Sequence, residues 1–253
     1  MRIRIIVEGS TRLDRRRGRW GLSLLIDKDV LFDTFADARL LASGFRKYAV
    51  DPAALRHIVI SHDHWDHTGG LSWVLARAPG VTVWVPAGVS DHLKSEIAAA
   101  GGVVVEVKGP ALIREGVRTT GQIQGKYAGR SIMEQSVVLD QGRTLALCTG
   151  CSHPGILVIL TAVRRQFAGK AIDLVLGGLH LADADEDELR RIAEQLAGSF
   201  DVTMVAPFHC TGRKAIRYFK TALSRRLIRA GSGDLFVCND DGYAWKKQAG
   251  RGE

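Results

Sequence analysis

Five potential metal ligands crowd into six residues of this chain, His62, Asp63, His64, Asp66 and His67, directly after the apolar run His57-Ile58-Val59-Ile60. Three imidazoles gathered for packing alone would each need a separate hydrogen-bond partner. Sharing a cation satisfies them together. His62 and His64, two apart on extended chain, point to the same side and can bind one ion through nitrogens at about 2.0–2.1 Å. Asp66 and His67 fall in the following turn and can reach a second ion. Thr68, Gly69 and Gly70 then open a helix, small enough for the backbone to close tightly over the site.

The rest of the chain reads as an α/β protein. Its 253 residues are 46% hydrophobic and 25% charged, which excludes a disordered chain and promises a substantial core. Short apolar runs alternate with amphipathic stretches. Expected strands include Arg2 to Val7, Leu22 to Ile26, Val30 to Asp33, Ile58 to Ser61, Thr144 to Cys148, Leu174 to Leu176 and Val202 to Ala206, too many for one small sheet. Helical periodicity is clearest in Leu71 to Ala78, in Leu189 to Leu196 after the acidic first turn Asp183 to Glu188, and in Ile216 to Leu227. A further helix, Pro154 to Arg165, is apolar nearly all round, with Pro154 at its first position, and is expected to be buried on more than one side. No linker or repeat divides the chain, so a single domain over 1–253 is expected. No run approaches the roughly 20 apolar residues of a membrane span, and Met1 to Val7 lacks a signal-peptide core. The expected location is cytoplasmic, with no membrane partner.

The net charge is +8, and it is uneven. Residues 1–20 carry seven Arg against Glu8 and Asp14, and residues 213–229 carry seven Lys or Arg and no acid. Either is a solvated surface or an anion-steering rim. Arg12, Arg15, Arg16, Arg17 and Arg19 are placed in a loop before Trp20. Arg213 and Lys214 begin a helix just after His209, where backbone N–H groups also favour anions, and are the candidate substrate-binding residues. The four cysteines are expected to be reduced, since Cys148 and Cys151 form a lone CxxC with no second pair.

The HxHxDH pattern between an apolar strand and a helix resembles the metallo-β-lactamase superfamily. The segments Thr149-Gly150-Cys151-Ser152-His153-Pro154-Gly155, Gly177-Gly178-Leu179-His180-Leu181 and Pro207-Phe208-His209-Cys210-Thr211-Gly212 narrow the likeness. Together with Thr119-Thr120-Gly121 they resemble the branch of metal-dependent hydrolases related to 7,8-dihydropterin-6-methyl-4-(β-D-ribofuranosyl)-aminobenzene-5′-phosphate synthase. The resemblance implies an αββα sandwich with a metal site at one edge between the sheets. It also implies that Asp33, in Leu31-Phe32-Asp33-Thr34, supports the metal histidines from behind, and that His209 is the last ligand. The superfamily usually has Gly where this chain has Phe35, and a His where it has Thr119-Thr120-Gly121. It also usually has a bridging Asp after the Gly that here precedes Cys151-Ser152-His153. His153 is the best replacement ligand, with Cys151 as a soft alternative. His180 closes a strand and is open to three roles: metal ligand, acid/base or substrate contact, and structure.

The expected ligand set is therefore His62, His64, Asp66, His67, His153 and His209, holding two divalent ions, zinc first, with manganese or iron as alternatives. Asp66 and His180 are the candidate catalytic residues. Such a pair of ions activates water and polarises a phosphoryl or carbonyl oxygen. The expected activity is hydrolysis of a phosphorylated or diphosphate-bearing small molecule. The resemblance also implies a transferase alternative, in which an arylamine displaces the diphosphate of a pterin. A nuclease, for which no gripping arm is visible, and a non-catalytic metal or ligand sensor rank below these. Nucleic acid is not an expected partner, and the sequence sets no oligomeric state.

Overall fold

The computed structural model describes residues 1–239 and 242–248, apart from the side chain of Arg12. Along the chain the strands are β1 (Arg2–Gly9), β2 (Gly21–Ile26), β3 (Val30–Phe32), β4 (His57–Val59), β5 (Thr82–Pro86), β6 (Val103–Val107), β7 (Ala111–Arg114), β8 (Val117–Thr119), β9 (Ile123–Tyr127), β10 (Arg130–Glu134), β11 (Val137–Asp140), β12 (Thr144–Thr149), β13 (Ala171–Gly178), β14 (Met204–Phe208), β15 (Leu235–Asn239) and β16 (Gly242–Lys246). The α-helices are α1 (Arg12–Arg16), α2 (Ala38–Lys47), α3 (Trp65–Thr68), α4 (Leu71–Leu75), α5 (Asp91–Ala99), α6 (Ile156–Gln166), α7 (Glu186–Ala197) and α8 (Arg213–Ala222). Contacts divide the chain into two compact units. One holds Met1–Val85, Val89–Glu106 and the described chain from Ala230 onward; the other holds Pro86–Gly88 and Val107–Arg229.

The first unit is built on an eight-stranded sheet in the order β16-β15-β1-β2-β3-β4-β5-β6. Strands β3, β4 and β5 run parallel, so their carboxyl ends lie together. Ile6, Leu31, Ile58 and Ile60 from the sheet pack with Leu41 and Phe45 of α2 and Leu71 and Val74 of α4. Helix α2 is absent from the expectations above. Asp37 caps it by accepting from Arg39 N and Leu40 N, and a Cβ at Gly44 would meet Ile6 Cγ2 at 2.8 Å, so the helix lies close on β1.

The second unit has a six-stranded sheet, β14-β13-β12-β11-β8-β7, and a separate hairpin of β9 and β10. Strands β12, β13 and β14 are parallel. Their apolar runs suit burial on both faces, and Leu174, Val175 and Leu176 are almost fully enclosed. Leu147 and Val175 share a core with Ile159 and Leu160 of α6, Leu189 and Ile192 of α7, and Phe219 of α8.

Four local expectations are corrected. Helix α6 begins at Ile156 after Gly155, leaving Pro154 outside, and Val158 is half-exposed, so the helix is buried on one side only. Helix α8 stops at Ala222; Ser224–Arg226 form a 3-10 turn, which lets Leu227 bridge to Val205. Arg12, Arg15 and Arg16 lie in α1 and not in a loop; Thr11 and Asp14 form its capping box. Asp66 and His67 lie within α3, and Gly69 and Gly70 link α3 to α4 instead of opening a helix. Of the acidic run Asp183 to Glu188, Glu186, Asp187 and Glu188 lie in the first turn of α7 and Asp185 caps it, whereas Asp183 precedes the helix.

Candidate functional site

In the first unit the carboxyl ends of the parallel strands β3 and β4 carry Asp33-Thr34 and Ser61 to His67. Asp33 and Phe35 both have left-handed backbone, φ 58° and 60°, a conformation costing about 1–2 kcal/mol for a residue with a Cβ. Phe35 thus keeps a geometry that glycine adopts more cheaply. The turn carries Asp33 back onto the histidines. Its Oδ1 accepts from Ser61 N at 2.7 Å, and its Oδ2 accepts from Ser61 Oγ at 2.7 Å and from His67 Nδ1 at 2.6 Å. The His67 carbonyl accepts from Thr34 N and Thr34 Oγ1.

Because an ionised carboxylate only accepts, the Asp33 contact keeps a proton on His67 Nδ1 and leaves Nε2 as the nitrogen that would give up its proton to a cation. That nitrogen stands 3.4 Å from Asp66 Oδ2. His62 Nε2 faces His64 Nδ1 at 3.1 Å, and the His62 ring lies 4.2 Å from that of His67. Two nitrogen ligands on a tetrahedral zinc, each about 2.0–2.1 Å from it, stand about 3.3–3.4 Å apart. The donor pairs here fit that spacing. Burial alone would push the His67 imidazole down, but the Asp33 and Asp66 carboxylates hold it well above the usual histidine range. The same negative field favours a divalent cation. Asp63 is not part of this cluster's donor set: its Oδ2 accepts from Ser90 N, ahead of α5. A Cβ at Gly21 would lie 1.9 Å from the Asp66 carbonyl oxygen, so β2 and α3 touch backbone to backbone.

In the second unit the carboxyl ends of β12, β13 and β14 carry Cys151 to His153, His180 and His209-Cys210. Ser152, His180 and His209 have φ of 64°, 51° and 55°. Three strained residues on three neighbouring strand ends mark a place where the surrounding structure dictates backbone. Thr149 Oγ1 and Ser152 Oγ both donate to the Gly178 carbonyl, and Leu179 N donates to Thr211 Oγ1, which ties the three ends together. Cys151 Sγ lies 3.3 Å from His209 Nε2. Cys151, His153 and His180 each place one donor atom within 4.8 Å of the others. Tyr127, on the hairpin, has its ring 5.3 Å from that of His153 and 5.8 Å from that of His180.

Glu134, at the end of β10, organises this turn. Its Oε1 accepts from Cys151 N and Ser152 N at 2.8 Å each; its Oε2 accepts from His153 N at 2.7 Å and His153 Nδ1 at 2.9 Å. Burial alone would push this carboxyl up, but its hydrogen bond and charge contact with His153, with the backbone N–H groups, bring it below the usual carboxylate value. The Cys210 thiol, which burial would raise, is held well below the ordinary thiol value by Cys151, His209 and His180. His180 is raised, chiefly by its hydrogen bond to Cys210, and it is solvent-exposed.

Within the first unit, then, His62, His64, Asp66, His67 and Asp33 are gathered; within the second, His153, His180, His209 and Cys151. Of the basic pair, Arg213 is exposed at the start of α8, whereas Lys214 Nζ donates to the Ala184 carbonyl at 2.8 Å and fastens α8 to the approach of α7. Sequence reasoning missed Glu134. Its only signal was an acid three residues before the apolar run Val137-Val138-Leu139.

Residues 28–123 match the family model of the Beta-lactamase superfamily domain. A 7,8-dihydropterin-6-methyl-4-(beta-D-ribofuranosyl)-aminobenzene-5'-phosphate synthase of Methanocaldococcus jannaschii is 26% identical, over 85% of this chain and 88% of that protein. A solved metal-dependent hydrolase of the beta-lactamase superfamily is 25% identical and superposes with a TM-score of 0.76, over 95% of this chain and 100% of the other. A metallo-beta-lactamase fold protein from Bacillus subtilis gives a TM-score of 0.66 at 15% identity, over 93% and 99% of the two chains.

Proposed function

We propose that this chain, which has the metallo-β-lactamase fold, is a metal-dependent hydrolase acting on a phosphorylated or diphosphate-bearing small molecule. The ligands are His62, His64, Asp66 and His67 of the first unit and His153 and His209 of the second, and the metal complement is up to two divalent ions, with zinc the first choice for so many imidazoles. The observation that carries this reading is the Asp33–His67 contact at 2.6 Å beside the facing His62 and His64 nitrogens. Metal-binding histidines are regularly oriented by a carboxylate on the second ring nitrogen, as here.

Bound divalent metal would supply a water of lowered pKa and a Lewis acid for the substrate's anionic oxygens. The protein's own groups supply the rest. Asp33 and Ser61 fix the rings of His67 and His62. Asp66, through whichever oxygen is not engaged, can accept a proton from the nucleophilic water. His180, exposed and raised in pKa, is positioned to donate a proton to a leaving oxygen. Arg213 meets the phosphate remote from the reacting bond.

The second reading is a synthase in which an arylamine nitrogen displaces the diphosphate of a dihydropterin and loses its proton, and it is favoured by the kinship to the Methanocaldococcus jannaschii synthase. The two differ in what reaches the reacting centre. Elemental analysis of purified protein and of His62→Ala, His64→Ala and His209→Ala tests the ligands; full metal content in all three variants would end this reading. Diphosphate release from a dihydropterin diphosphate, assayed with and without an arylamine phosphate, separates the two activities. Release that requires the arylamine would decide for the synthase.

A further inference from the structure

We propose that Glu134 is the positioning residue that fixes His153 as a metal ligand, holding its ring in one rotamer and one tautomer, with the proton on Nδ1 and the lone pair on Nε2. The inference rests on the reading of His153 as a ligand and goes beyond it. A carboxylate offers about four acceptor positions, and here four N–H groups take them: Cys151 N and Ser152 N on Oε1, His153 N and His153 Nδ1 on Oε2. With its acceptor capacity used in this way, Glu134 neither ligates metal nor shuttles protons. Its role is geometric.

The geometry is specific. The main-chain N–H and the ring N–H of His153 meet the same oxygen atom, which sets the side-chain torsion of that residue directly. Both Glu134 and the His153 side chain are essentially buried, so water does not compete for these bonds. The hairpin that carries Glu134 also presses on the turn from its other strand: a Cβ at Gly125 would lie 2.5 Å from the His153 carbonyl carbon. The two strands of the hairpin are joined by Ala128 and Gly129, both left-handed, a two-residue turn whose twist suits tightly paired strands. The hairpin is thus a brace for one histidine.

Glu134→Gln is the informative variant. The amide has the same shape but a single acceptor oxygen, and its NH2 would confront N–H donors. His153 would then be driven to give up the Nδ1 proton or to turn its ring. We would measure zinc affinity by competition with a chromophoric chelator, and read the His153 tautomer in the zinc-loaded, 15N-labelled protein from long-range proton–nitrogen correlations. The expected result is a protonated Nδ1 in the wild type and a 10- to 100-fold weaker zinc affinity in Glu134→Gln, the range found when such outer partners of metal ligands are removed. His153→Ala serves as the reference. If it keeps full zinc, the ligand reading beneath this proposal fails. If it loses zinc while Glu134→Gln binds as tightly as wild type, the role of Glu134 alone is overturned. Should Glu134→Gln not fold, the wild-type tautomer still decides: an unprotonated His153 Nδ1 overturns the proposal.

Discussion

Cys148 lies fully buried on β12, and burial pushes its thiol from the ordinary value of 9.0 up to about 12. The consequence for stability has a definite sign. The unfolded chain releases this proton near pH 9 and the folded chain only near pH 12, so the contribution is complete below pH 9 and is lost as pH rises through that window. At pH 10 the loss is about 1.4 kcal/mol. Denaturant titrations of wild type and Cys148→Ala at pH 8 and pH 10 measure it. The decline between the two pH values should be smaller in the variant by about that amount. An identical decline would show that Cys148 does not titrate as its burial dictates. The same residue bears on redox chemistry: a fully enclosed, protonated thiol is a poor nucleophile, and Cys148 should resist alkylation at pH 8 until the protein is unfolded.

At the scale of elements, the strand ends carry the chemistry and the glycines let them approach. Gly21 has φ 109° and no room for a Cβ against Asp66. Gly21→Ala should therefore destabilise by about 1–3 kcal/mol, the usual cost of overpacking, and should lower metal content through α3; urea denaturation and elemental analysis check both. A variant as stable as wild type with full metal would refute the close packing. Helix α8 makes a second test, because its two leading cations differ. Arg213 is exposed, so Arg213→Ala should raise KM for a phosphorylated substrate while metal content stays intact. Lys214 donates to the Ala184 carbonyl, so Lys214→Ala should instead cost about 0.5–1.5 kcal/mol of stability. Equal effects on KM and stability from both variants would erase the distinction. The basic charge of 213–229 is also partly committed to structure: Arg226 donates to Asp201 Oδ1 and to the Val202 carbonyl.

At the scale of the whole molecule, a metal that binds only the folded chain stabilises it by mass action, about 2.7 kcal/mol at a free concentration one hundred times its Kd. Treatment with EDTA should lower the Tm, and added zinc should restore it; a Tm indifferent to both would count against a metal held by the buried histidines. The folded chain has two compact units, each with parallel strands whose carboxyl ends bear the ligand-type residues. Among the described residues no helix is long and apolar enough to cross a membrane.

What the sequence determined by itself is whatever depends on residue type and local spacing. The crowding of His62, His64, Asp66 and His67, the strand–turn–helix setting, the multiplicity of strands, the acidic N-terminus of α7 and the kinship carried by four spaced motifs were all legible, because ligand chemistry and period are local properties. Tertiary structure decided the rest. Helix α6 has an exposed face, although its composition is apolar nearly all round, because only packing chooses which side is covered. Helix α8 ends early because Leu227 finds a partner on β14. Lys214 is engaged by a carbonyl 30 positions away, and His153 is oriented by a glutamate 19 positions before it. Such bonds depend on strand register and on which chain ends a sheet brings together, and no periodicity within a segment encodes a donor and acceptor that meet only after the chain has folded.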